Sequence, residues 1–84
     1  MLTRLGRYDE GLQVDQRLVR LEPEEPIVHY NLACSLSLLG RIDDGIEELT
    51  RAVDLGYEDV EHMLKDRDLR ALRNDPRFEV LAKR

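Results

Sequence analysis

Eight residues of this chain return after an interval of 34: Leu5-Gly6-Arg7-Tyr8-Asp9-Glu10-Gly11-Leu12 reappears as Leu39-Gly40-Arg41-Ile42-Asp43-Asp44-Gly45-Ile46. Five of the eight pairs are identical, and the other three keep size class or charge. The same offset relates Leu2 to Leu36, Arg17 to Arg51, Leu18 to Ala52, Val19 to Val53 and Leu21 to Leu55, so the register extends past the matching block. A period of this length, carried by helical spacing, points to stacked helix pairs. It also requires Gly6 and Gly40 to occupy the same backbone setting and excludes strands across either block.

The chain has 84 residues, enough for one domain and close to the lower limit for a lone core. With 42% hydrophobic and 37% charged residues, the balance suits thin layers of amphipathic helix. A formal net charge of −5 argues against general nucleic-acid binding, which needs a basic surface, and favours partners carrying a basic patch. Lysines and arginines near the C-terminus are interleaved with acids and leave no basic stripe. Cys34 is the only cysteine, so no internal disulfide forms and a cytoplasmic setting is expected. No apolar run has the length of a signal peptide or of a membrane span.

Counting back from Gly6, Met1 to Leu5 is expected to be the end of a leading helix whose beginning is absent, whether the chain starts there or is part of a longer array. A helix from Arg7 to about Leu21 follows, with Tyr8, Gly11, Leu12, Leu18 and Val19 on a face left partly open. Asp15 falls on that face, where an unpaired carboxylate is costly unless the side stays wet. Pro23 stops the helix, and Pro26 suits the first turn of the next, from about Glu25 to Leu39. Val28, Leu32, Leu36 and Leu39 mark one buried stripe of that helix, with His29 and Ala33 beside it. Ile27, Asn31, Cys34 and Leu38 form a second row, so the helix is expected to be sandwiched.

Gly40 supplies a left-handed cap. Asp43 and Asp44 then begin a helix from Ile42 to about Leu55, buried through Ile42, Ile46, Leu49 and Val53. Gly45 costs roughly 1 kcal/mol of helix propensity, and close approach of the paired helix is the expected return, as at Gly11. Beyond Gly56 the register fades into a closing unit. A short helix spans Glu58 to Lys65 with Val60, Met63 and Leu64 inward, a turn capped by Asp66 carries Leu69 and Leu72, and a final helix starting at Asp75-Pro76 carries Phe78, Val80 and Leu81.

Together these residues resemble the tetratricopeptide repeat family. Leu5 to Leu12 followed by Leu21-Glu22-Pro23 looks like the second half of one repeat. Tyr30-Asn31-Leu32-Ala33, Gly40, Gly45 and Ala52 fit the next along its length, and His29, Asp15 and Gly56-Tyr57 depart from the family pattern. The resemblance implies an all-α fold of antiparallel helix hairpins stacked as a short right-handed α-solenoid. Its parts would be a partial repeat at 1–22, a full repeat at 23–56 and a degenerate closing repeat at 57–84. It also implies a protein-binding scaffold whose groove takes a peptide or helix of a partner. By register the groove holds Ile27, Tyr30, Asn31, Cys34, Ser37 and Leu38, with Thr3 and Arg4 before them, Glu61, Leu64 and Lys65 after, and Tyr30 as anchor. Asn31 and Lys65 match two positions that grip a terminal carboxylate in chaperone-binding members, whereas Glu61 is acidic where that clamp has a cation.

Catalysis has no constellation to stand on. The pairs Asp9/Glu10 and Asp43/Asp44 recur at the repeat interval, which fits helix starts better than chelation, since neighbours on a helix point about 100° apart. His29 and His62 show no metal-ligand spacing, and no glycine-rich phosphate loop is present. Cys34 reads as a small residue filling a helix surface. Neither a metal nor a cofactor is expected. A second expectation is homo-oligomerisation, in which two copies cover the open Tyr8, Leu12 and Val19 face, and a third is an accessory subunit that offers this face to an enzyme and leaves the chemistry to that partner.

Overall fold

The computed structural model describes the backbone of residues 4–83 and the side chains of residues 11–83. Among these residues every regular element is helical: α1 (Arg4–Leu21), α2 (Pro26–Leu38), α3 (Ile42–Asp54), α4 (Val60–Lys65), a 3-10 turn (Arg67–Leu69), α5 (Arg70–Arg73) and α6 (Pro76–Ala82). Arg4 lies in α1, but its side chain and that of Tyr8 fall outside the described residues.

Local chemistry sets most of these limits. The Glu25 carboxylate accepts the Ile27 amide and Pro26 fills the first position of α2. Asp59, Asp66 and Asp75 accept amides at the starts of α4, the 3-10 turn and α6. Both α2 and α3 end in the same way. At Gly40, φ is 77°, and the Gly40 and Arg41 amides return to the carbonyls of Ser37 and Leu36 at 3.0 and 2.9 Å. At Gly56, φ is 112°, and the Gly56 and Tyr57 amides return to Val53 and Ala52 at 3.0 and 2.9 Å. Each turn satisfies carbonyls that a helix end otherwise leaves open, and it needs a residue without a Cβ.

The expected equivalence of Gly6 and Gly40 fails. Gly6 lies inside α1, which runs without interruption from Arg4, whereas Gly40 forms a left-handed turn. The hydrogen-bond ladder of α1 continues through position 6, with no turn there. Asp9 and Glu10 are consequently not at a helix start, while Asp43 and Asp44 occupy the first turn of α3.

α2 is the central element and is buried on two sides. One side presents Leu32 and Leu36 to Leu12 of α1, with Val19 and Leu39 packed at the margin. The other presents Tyr30, Ala33 and Cys34 to Ile46, Leu49 and Ala52 of α3 and to Met63, Leu69, Leu72, Phe78 and Leu81 of the closing segment. Each fully buried leucine contributes about 1.5–3 kcal/mol of burial, so this second cluster is the main source of stability.

Several inward assignments change. Leu12 is buried against α2 and is not part of an open face; Val14 and Leu21 are the exposed apolar residues of α1, at 58% and 70%. Leu64 and Val80 point outward, at 50% and 65% exposure, because helices of two turns or fewer bury only one narrow edge. Asp15 is half-buried and accepts a hydrogen bond from Ser35 Oγ, which supplies the partner its carboxylate needs. Gly45 is crowded by Leu72 of α5, not by its paired helix α2, and Gly11 meets only Ser35 Oγ at ordinary contact distance.

Candidate functional site

The residues expected to line a groove divide into two sets. Ile27 and Leu38 are 48% and 40% exposed, and Asn31 and Lys65 are also exposed. Tyr30, Cys34 and Ser37 are buried, at 5%, 8% and 4%. The chain's own closing segment packs over Tyr30 and Cys34, so Tyr30 offers no anchor surface to a partner. Its ring instead stacks on Tyr57 at 4.5 Å and 16°, with the His62 ring tilted against it at 5.8 Å. Lys65 pairs with exposed Glu61 at 3.3 Å, one helical turn away.

Beneath that stack lies a polar cluster centred on Asp66. Its Oδ2 accepts the Tyr30 hydroxyl at 2.7 Å, faces Cys34 Sγ at 3.9 Å and lies 3.3 Å from His62 Nε2. Its Oδ1 accepts the Asp68 amide at 2.9 Å. Burial pushes the Cys34 thiol well above its usual range, and the charges of Asp66, Asp68 and Asp15 add to the effect. Burial likewise raises Tyr30, as does its bond to Asp66. The Asp68 carboxyl is raised by burial and then by Asp66. A thiol in such surroundings is a poor nucleophile. None of this is legible in the sequence, since Tyr30 and Cys34 reach Asp66 across more than thirty residues.

Two further side chains fasten the frame. His29 is buried, with Nδ1 2.8 Å from Glu48 Oε1 on α3 and Nε2 2.7 Å from the Pro23 carbonyl, and so ties the linker before α2 to α3. Arg73 Nη1 donates to the carbonyls of Asp66, Leu64 and Met63 at 2.6, 2.9 and 3.4 Å, which closes the C-terminal end of α4. A cleft of about 340 Å³ opens between Val19, Pro23, His29, Arg51, Asp54 and Leu55. Another of about 450 Å³ lies at Leu64, Arg73 and the start of α6. The first is lined by no expected groove residue, and the second by Leu64 alone of that set.

Known proteins bear a partial likeness to this chain. It is similar to a chloroplastic protein of Arabidopsis thaliana: 33% identical over 81 residues, which cover 93% of this chain and 24% of that protein. It is also similar to the TPR repeat-containing thioredoxin TTL4 of the same plant: 34% identical over 53 residues, which cover 63% of this chain and 8% of that protein. The chain thus spans about a quarter of the first relative and under a tenth of the second. No family model matches it. No solved structure matches it. No helix among the described residues is long and apolar enough to cross a membrane.

Proposed function

We propose that this chain is a tetratricopeptide-type interaction module that binds a protein or peptide partner and catalyses no reaction itself. In this reading 23–56 is a full repeat and 57–84 a closing one, stacked as a short right-handed solenoid, and 1–22 is a partial repeat that lacks at Gly6 the turn formed at Gly40. The observation that carries it is the α2–α3 hairpin, in which the Gly40 turn, buried Gly45 and buried Ala52 occupy the places the repeat assigns to them. The name of the thioredoxin relative, which includes the repeat, supports it.

The contact surface is the uncovered strip of α2 formed by Ile27, Asn31 and Leu38, because Tyr30 and Cys34 on the same helix are covered by the closing segment. A photo-crosslinker placed at Asn31 or Leu38 is expected to capture a partner in cells. One placed at Glu47, on the exposed side of α3, is expected to capture none. Equal capture from all three positions would remove the strip as the binding surface.

A second reading, homo-oligomerisation, is favoured by Val14 and Leu21, which with half-buried Leu18 form an apolar line along α1. Sedimentation should then show a dimer that Val14→Glu or Leu21→Glu dissociates. A chain that stays monomeric at every concentration is incompatible with it. Leu12→Glu does not serve as the test, since Leu12 belongs to the core.

A further inference from the structure

Cys34 Sγ and carboxylate oxygens of Asp66 and Asp68 all lie within 4.8 Å of one another. They come from two parts of the chain, α2 and the connection between α4 and α5. His62 Nε2 lies 3.3 Å from Asp66 Oδ2 but stands outside this set of three. Asp66 is held in place by the Tyr30 hydroxyl at Oδ2 and the Asp68 amide at Oδ1, the kind of support that metal-ligating carboxylates receive. No lysine or arginine pairs with the Asp66 or Asp68 carboxylate among the described residues, so two carboxylates converge on a thiol that is 8% exposed with no cation between them.

We propose that Cys34, Asp66 and Asp68 bind a divalent metal ion of the zinc class, with water in the fourth position. Ligand bonds of about 2.0–2.3 Å place donor atoms roughly 3.5–4 Å apart around such an ion, so the three donors close on it by rotation of exposed Asp68. The sulfur donor decides the class: calcium and magnesium take oxygen ligands, whereas a thiolate beside carboxylates suits zinc or cobalt. On binding, the Cys34 thiol gives its proton to water and ligates as thiolate, with no change of oxidation state. The ion would fasten the closing segment to α2. The site does not depend on what the exposed strip of α2 binds.

Cobalt(II) titrated into the full chain under reducing, oxygen-free conditions provides the test. The expected result is a thiolate-to-cobalt charge-transfer absorption that one equivalent of zinc abolishes. Cys34→Ser should remove that absorption. Asp68→Asn, at an exposed position, should leave the circular dichroism and metal-free thermal midpoint unchanged while weakening cobalt binding at least tenfold. No charge-transfer absorption from the folded chain at millimolar cobalt overturns the proposal. An absorption whose titration is unaffected by Asp68→Asn also overturns it, because it reports a thiol binding adventitiously and not this set.

Discussion

The side chain of Leu72 lies against the backbone of Gly45, so that a Cβ at position 45 would stand 2.9 Å from Leu72 Cδ2 and 3.2 Å from Cδ1. Leu72 is fully buried and has little room to withdraw. Gly45→Ala gains about 1 kcal/mol of helix propensity but incurs overpacking of about 1–3 kcal/mol, and a net loss of up to about 2 kcal/mol is expected. Gly11→Ala, whose nearest neighbour is 3.9 Å away, should instead gain about 1 kcal/mol. Urea unfolding of the two variants checks the contrast, and Leu72→Val in the Gly45→Ala background should recover part of the loss.

The two turn glycines differ in a measurable way. Nothing lies within 4 Å of a Cβ added at Gly40 or Gly56, so the cost of substitution there is set by the backbone alone. At Gly40, near the left-handed basin, alanine should cost about 1–2 kcal/mol. At Gly56, with φ of 112°, the backbone lies outside that basin, and a cost of about 2–3 kcal/mol is expected. Thermal unfolding should therefore rank Gly56→Ala below Gly40→Ala.

Asp75 makes the acid limb of stability readable. Bonds from the Arg77 side chain and amide hold its carboxyl at about 2, below the ordinary 3.8. The folded form thus binds its proton later than the unfolded form, and the stabilisation is present above pH 3.8 and is lost as pH falls through about 2. Asp75→Asn should be less stable than the parent at neutral pH, and the difference should shrink between these values. A difference that persists unchanged below pH 2 would contradict the assignment.

An alkaline limb comes from Cys34 and Tyr30. Both are raised above their ordinary values of 9.0 and 10.0, chiefly by burial, so the folded chain keeps protons that the unfolded chain gives up. The contribution of these two groups should be constant below pH 9 and fall as pH rises from there. In Cys34→Ala the fall should begin about one unit later, where unfolded Tyr30 ionises. The native thiol should also resist iodoacetamide at neutral pH until the chain is unfolded.

Elements are legible in the sequence where a local signal exists. Pro26, Gly40 and Asp75-Pro76 act through their own backbone geometry, and the helices begin or end beside them. The apolar stripe of α2 is readable because thirteen residues define a face clearly. Periodicity misplaces Leu64 and Val80 because six or seven residues do not. Gly6 misleads since its resemblance to Gly40 lies in the side chains around it, while its conformation depends on what precedes it. Tyr30, Cys34 and Asp66 carry no mutual signal at all, because only the fold-back of the closing segment joins them, and that same fold-back covers the part of the groove that register alone leaves open.

Arg73 has a consequence for how the closing segment tolerates change. One guanidinium nitrogen gathers three carbonyls from the end of α4, so the seven-residue step back to Asp66 acts as a gauge of fixed length. Replacing the outward-facing Arg67 or Arg70 leaves the gauge intact. Inserting or deleting a single residue between Asp66 and Arg73 carries the charge out of reach, and the last turn of α4 then ends on carbonyls that no other side chain among the described residues answers.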